Sequence, residues 1–127
     1  WALLSSSSRD FEGNLGARLR AAQHQTTEEI SALQFEYARA VARAVSTFVE
    51  ECDEDDAAQK IDLVVLSGQT VCHNPGPLKK EAGNDKQMNS NEGQEFHTFQ
   101  LGDGNVLSAL TQLPVLWNLR TTDVALG

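Results

Sequence analysis

Two short stretches of the chain carry the side chains best suited to hold a polar small molecule. Ser67, Gly68, Gln69, Thr70 and His73 follow one apolar run, and Asn118, Arg120 and Asp123 follow another. Gln69 offers donors and an acceptor, and Arg120 presents a planar fork that matches a carboxylate or phosphate. Gly68 lets a ligand approach the backbone closely. Together these groups suit a ligand such as a sugar. Each also has a plain structural reading. Gly68-Gln69 reads equally as a strand-ending turn, and Arg120 with Asp123 as a surface ion pair worth under about 1 kcal/mol. His24, His73 and His97 read as solvated loop histidines, and Asp103 between Gly102 and Gly104 as a turn or helix cap.

Other chemistries fit less well. Ser67 and His73 suggest a nucleophile and its base, but the G-x-S-x-G elbow of the α/β-hydrolases is absent and no third, orienting residue can be assigned. Gly13 to Gly16 (Gly-Asn-Leu-Gly) does not fit the G-x-x-x-x-G-K-[ST] phosphate loop. Cys52 and Cys72 have no His or Cys partner at ligand spacing, so no metal site is expected. Both are expected as free thiols in a reducing compartment.

The elements that must position these groups show in the periodicity. Leu15, Leu19 and Ala22 suggest a short helix after the polar break Ser5 to Ser8. Thr26 and Glu29 have the capping-box spacing. Behind them Ile30, Leu33, Tyr37, Val41, Ala44, Val45 and Phe48 recur in steps of three and four, on one helix face. From Thr27 to about Glu51 such a helix spans roughly 37 Å. Glu28 and Glu29 favour its first turn, whereas Glu50 and Glu51 oppose the dipole at its end and predict fraying there. Cys52 to Lys60 reads as an acidic surface linker.

Ile61, Leu63, Val64, Val65 and Leu66 form a short apolar run that suits a strand buried on both faces. Gly76 to Glu95 is rich in Gly, Asn, Lys, Glu and Gln, and reads as a flexible loop. Phe96 to Leu101 reads as a strand. Asp103 to Leu113 reads as a helix capped at Asp103 or Gly104, with Val106, Leu107 and Leu110 inward and Pro114 as its stop. Val115 to Leu119 reads as a further strand. This alternation predicts an α/β fold with at least partly parallel pairing. In such sheets ligands bind beyond the carboxyl ends of the strands, where both polar stretches fall.

The 127 residues fit one domain, and a net charge of -8 argues against nucleic-acid phosphates as partners. No apolar run approaches the roughly 20 residues of a membrane span, and no signal-peptide order or basic membrane-surface helix is seen. A chain that opens on Trp1 reads as a fragment, with sheet edges and apolar faces left uncovered and poor solubility expected in isolation.

Three stretches together resemble one known family. Ser67-Gly68-Gln69-Thr70-Val71-Cys72-His73-Asn74-Pro75 resembles H-G-Q-T-x-x-H-x-P. His97-Thr98-Phe99-Gln100-Leu101-Gly102-Asp103 resembles H-T-x-Q-x-G-D. Leu119 to Gly127 resembles F-R-x-x-D-x-A-x-G-G. In this order they resemble the anhydro-N-acetylmuramic acid kinases, within the superfamily of sugar kinases, actin and heat-shock chaperones. The resemblance covers roughly Thr27 to Gly127. It implies a partial actin-like, ribonuclease-H-like ATPase domain with a mixed sheet and a long helix, belonging to the N-terminal half of a two-domain kinase.

It further implies a cytoplasmic enzyme that uses ATP, Mg2+ and water to open the 1,6-anhydro ring of its amino sugar and phosphorylate O6, in cell-wall recycling. A homodimer of the full-length protein is compatible with it. The implied sugar contacts are Gln69, Arg120, Asp123, Gly68 and Thr70. The chain departs from the family pattern at Ser67 (His in the motif), Asn118 (Asp) and Leu119 (Phe). The family's glycine-rich G-T-S-L-D-G stretch and its D-T-G-P-G-N carboxylate motif are not in these residues. The expectation is therefore sugar-side contacts without catalysis by this piece alone. The alternative is a non-catalytic relative that binds a ligand or a partner.

Overall fold

A computed structural model of the protein describes residues 5–53, 61–74 and 96–126. The expected loop Gly76–Glu95 and most of the expected linker Cys52–Lys60 lie outside the described residues, as does the side chain of Cys52. Cys72 is a free, exposed thiol.

A single long helix organises the molecule. Helix α2 runs over Thr27–Asp53, and its capping box is formed as the spacing predicts. Glu29 N–H donates to the Thr26 hydroxyl (3.3 Å), and Thr26 N–H donates back to Glu29 Oε2 (2.8 Å). The two hydrogen bonds satisfy reciprocal orphan donors at the helix start. The helix continues past Glu50 and Glu51 to Asp53, and Arg9 forms an ion pair with Glu51.

The apolar face of α2 serves two cores in succession. Its first half buries Leu33 against Leu15, Leu19, Ala22 and Leu101, with Ile30, Tyr37 and Ala40 at the margin. Leu15 and Leu19 come from helix α1 (Leu15–Arg20), and Ala22 from the 3-10 turn Ala22–His24. The second half buries Ala42 against Leu66 and Leu107, flanked by Val41, Val45, Val64, Val115 and Trp117. Leu33, Leu101 and Leu107 are the large side chains wholly withdrawn from solvent. Burial of each contributes about 1.5–3 kcal/mol.

Among the described residues the strands form two small sheets. Strand β1 (Val64–Leu66) pairs in parallel with β4 (Val115–Trp117), in the register Val64↔Val115, Val65↔Leu116, Leu66↔Trp117. Strand β2 (Gln69–Asn74) pairs antiparallel with β3 (His97–Leu101). The expected parallel pairing is present, as is the expected strand ending at Leu101. Helix α3 (Gly104–Thr111) follows β3, and helix α4 (Leu119–Leu126) follows β4. The result is a mixed α/β arrangement with one long helix and both parallel and antiparallel pairs.

Several sequence expectations are corrected. The run from Ile61 is a strand only over Val64–Leu66, and it is not buried on both faces. Leu66 is buried, but Leu63 and Val65 are 51% and 60% exposed. Only one face of the β1–β4 pair packs on α2 and α3; Leu63, Val65 and Leu116 share the open one. The strand-ending turn read at Gly68-Gln69 involves Gly68, which holds φ +74° between β1 and β2, whereas Gln69 to His73 lies within β2. Leu119 does not end a strand; it starts α4, which the sequence reading missed. Leu110 does not point inward but is 53% exposed, because Leu107 takes the contact with α2.

Glycines set the closest crossings. Gly68 has φ +74°, and a Cβ there would lie 2.5 Å from the Leu101 carbonyl oxygen. Gly104 packs so closely under the Trp117 ring that a Cβ would overlap it. The backbone between β3 and α3 is tied to the long helix by Gly102 N–H, which donates to Gln34 Oε1 (3.0 Å).

Candidate functional site

Parallel pairing puts the carboxyl ends of β1 and β4 side by side, since Leu66 is the register partner of Trp117. The chain leaves β1 through Ser67-Gly68 into β2 and leaves β4 through Asn118 into α4. The two polar stretches singled out in the sequence therefore meet at one edge, where open α/β sheets bind ligands.

The meeting point is the hydroxyl of Thr70. Arg120 in the first turn of α4 donates from Nη1 to Thr70 Oγ1 at 3.1 Å. Gln100 on β3, the register partner of Thr70, donates from Nε2 to the same oxygen at 3.3 Å. The group is half-buried throughout. No carboxylate stands within 4.0 Å of Arg120 among the described residues, and the ion pairs formed there are Arg9–Glu51, Arg18–Glu36 and Arg43–Glu12. The local Arg120–Asp123 ion pair considered from the sequence is thus not formed. Asp123 lies exposed one turn further along α4.

Of the other expected residues, Gln69 is half-buried and turns its amide onto the Thr70 carbonyl at 3.4 Å, a long contact that a better acceptor would displace. At Gly68 the glycine is already demanded by the protein itself, through its left-handed backbone and the approach of Leu101. Ser67 is exposed. His73 belongs to the far part of β2, where Nδ1 lies 3.2 Å from Thr98 Oγ1. Ser67 precedes β2 and His73 lies near its far end, and among the described residues no hydrogen bond joins them as a nucleophile and base would be joined.

Asn118 positions the arginine. It holds φ +59°, a conformation in which Asn is enriched, and its Oδ1 accepts from the Thr121 hydroxyl at 2.5 Å. Its carbonyl accepts from Thr121 N–H at 3.2 Å. These bonds close the first turn of α4 and aim Arg120 back over β2 and β3. Gln100 is the residue the sequence reading missed as part of this group. The H-T-x-Q-x-G-D stretch held the signal, but only the β2–β3 register brings Gln100 beside Thr70.

The start of α3 does not present free N–H groups to a phosphate. The free N–H groups at the start of α3 are already taken by Asp103, whose Oδ1 accepts from Asn105 N–H (2.8 Å) and Val106 N–H (3.2 Å). Asp103 is thus the helix cap that its flanking glycines suggested. Among the described residues no three His, Cys, Asp or Glu side chains are grouped to hold a metal ion. No helix there is long and apolar enough to cross a membrane. What the site can do is hold polar oxygen atoms through the Arg120 guanidinium, the Thr70 hydroxyl and the Gln69 amide.

Comparison with known proteins identifies the family of the chain. Residues 12–127 match the family model described as anhydro-N-acetylmuramic acid kinase. A protein of that name from Salinibacter ruber is 34% identical over 102 residues, covering 80% of this chain and 23% of the relative. One from a Ruegeria strain is 33% identical over 109 residues, covering 86% and 22%. One from a Synechococcus strain is 28% identical over 127 residues, covering 100% and 30%. The chain thus spans less than a third of the length of each of these relatives. With a match from residue 12 to residue 127, the chain belongs to the anhydro-N-acetylmuramic acid kinase family.

Proposed function

We infer that the full-length protein is an ATP-dependent sugar kinase. With Mg2+ and water it opens the 1,6-anhydro ring of anhydro-N-acetylmuramic acid and transfers the γ-phosphoryl group of ATP to O6. The products are N-acetylmuramic acid 6-phosphate and ADP. In this reading the present residues belong to the N-terminal of two domains, of the actin-like, ribonuclease-H-like ATPase type, in a cytoplasmic enzyme. They supply sugar-side contacts through Gly68, Gln69, Thr70, Arg120 and Asp123, while the phosphates, the metal and the catalytic carboxylate are handled elsewhere in the polypeptide.

The observation that carries this reading is the Arg120–Thr70 hydrogen bond. It joins the segments that follow the two parallel strands, and these segments carry two of the three family motifs. The relatives' shared name supports the substrate. The test is incubation of the full-length protein with ATP, Mg2+ and anhydro-N-acetylmuramic acid. The expected product has gained one water and one phosphoryl group, with one ADP formed per sugar. Sugar recovered unchanged from folded protein overturns the reading.

A second reading is favoured by Ser67 and Asn118, which replace the motif's His and Asp. Ser67 is exposed and without a hydrogen bond among the described residues, and the Asn118 amide is spent on the turn into α4. A relative that has kept the fold but lost turnover would bind the sugar and release no ADP.

A further inference from the structure

We propose that the recess between α2 and α3 bounded by Arg39, Arg43 and Ser46 is a binding site for a phosphate dianion. It shares no residue with the Arg120 corner, and the inference does not depend on the sugar-kinase reading.

Arg39, Arg43 and Ser46 stand at i, i+4 and i+7 on α2, so one exposed stripe of the helix carries all three. Leu110 of α3, 53% exposed, borders the same open recess of about 490 Å³, and Ala42 and Thr47 complete its described lining. A volume of that size falls within the range of small-molecule sites. No carboxylate lines the recess among the described residues.

The positive charge here is unmatched, although the chain holds 18 acidic residues against 10 basic ones. Elsewhere arginines pair closely with acids, as Arg9 does with Glu51 and Arg18 with Glu36. Arg39 has no ion pair or hydrogen bond among the described residues, and the Ser46 hydroxyl has no partner there either. Arg43 meets only Glu12, at 4.0 Å, and the two side chains remain 62% and 89% exposed. Of the other acids nearest along α2, Glu36 is held by Arg18, Glu51 is held by Arg9, and Glu50 stands two turns beyond Arg43. Like charges four residues apart on a helix repel one another, and an anion bound between them turns that repulsion into attraction.

The donor set selects among anions. A carboxylate has two oxygens and one charge, and a single guanidinium satisfies it in a bidentate pair. A phosphate monoester carries about −1.5 to −2 charges at neutral pH and three acceptor oxygens. That is enough charge for both arginines and leaves an oxygen for Ser46. Leu110 and Ala42 add apolar surface on which the organic part of an ester packs.

Calorimetric titration of the full-length protein with inorganic phosphate and with glucose 6-phosphate tests the site, each against sodium chloride at equal ionic strength. The variants are Arg39→Gln and Arg43→Gln, with Arg20→Gln, an exposed arginine of α1 outside the recess, as control. All three arginines are exposed, so each variant is expected to keep the wild-type thermal midpoint without ligand. A hydrogen bond between charged groups corresponds to about 10- to 100-fold in affinity. Arg39→Gln and Arg43→Gln are each expected to weaken phosphate binding by that factor, and Arg20→Gln to leave it unchanged. A phosphate site elsewhere in the polypeptide persists in every variant, so the site is read from the binding step that Arg39→Gln weakens. Tighter binding of glucose 6-phosphate than of inorganic phosphate at that step identifies an ester as the occupant, and equal binding identifies the free ion. Wild-type titration curves in Arg39→Gln and Arg43→Gln overturn the proposal. So does an equal loss in Arg20→Gln, or a wild-type protein that binds phosphate no better than chloride.

Discussion

A methyl group placed on Gly68 would stand 2.5 Å from the carbonyl oxygen of Leu101, where β2 leaves the end of β1 and crosses β3. The backbone at Gly68 is also in the left-handed region, with φ +74°. Gly68→Ala therefore faces two costs, about 1–2 kcal/mol for the conformation and a further clash that only a backbone shift can relieve. Chemical denaturation should show a loss above about 2 kcal/mol. Because the shift moves Thr70 away from Arg120, sugar affinity should fall as well. A variant with unchanged midpoint and unchanged affinity would show that the crossing is not as tight as described.

The capping box of α2 makes stability depend on acidity. Backbone and side-chain hydrogen bonds from Thr26 hold the Glu29 carboxyl below its ordinary value of 4.5, with a minor contribution from Arg18. A carboxylate whose folded value is depressed stabilises the fold at pH above its unfolded value, and this contribution is lost as pH falls through the folded value. Stability should therefore decline below about pH 4.5 partly through Glu29, and the Glu29→Gln variant should show a shallower decline across that window. Thr26→Ala removes the reciprocal hydrogen bond and should cost about 0.5–2 kcal/mol at neutral pH. Parallel acid titrations of wild type and both variants, followed by helical circular dichroism, check both statements.

Much of this architecture is legible in the residues, for definable reasons. Helix α2 shows itself because steps of three and four and a Thr26/Glu29 cap are local signals. Helix α3 shows itself through Asp103 at its start and Pro114 after its end. Strand β2 does not, because Gln69–Asn74 has a bulge between Thr70 and Cys72 that breaks any alternation, and its partner is distant in sequence. Helix α4 follows β4 with no Gly or Pro between them, and the sign of its start, Asn118 at positive φ, is common to many turns. The apolar run before Leu66 looked doubly buried because hydrophobicity does not say which face the chain covers. Arg120 and Thr70 could be brought together by the rule that ligands gather beyond strand ends. Gln100 could not, since only the β2–β3 register puts it there.

Tyr37 links the two halves of this picture and provides an alkaline test. It packs on the first core, meets Phe11 edge to face with ring centroids 5.9 Å apart, and lies close to the Gly102 backbone. Burial pushes its phenol above the ordinary value of 10.0. The charged phenolate is disfavoured there, so the folded state holds the proton more tightly than the unfolded chain does. The sign follows from that: the stabilising contribution is full below about pH 10 and is lost as pH rises through the folded value. Tyr37→Phe removes the titrating group while keeping the ring, so its stability should change less between neutral and alkaline pH than that of wild type. The difference in ultraviolet absorbance between wild type and Tyr37→Phe isolates this one phenol, and its midpoint should lie above that of a free tyrosine. A midpoint at the ordinary value would mean that water reaches the Tyr37 ring edge. The packing of α2 against the Leu101–Gly102 backbone, which holds β3 and Gln100 in register with Thr70, would then be looser than the geometry requires.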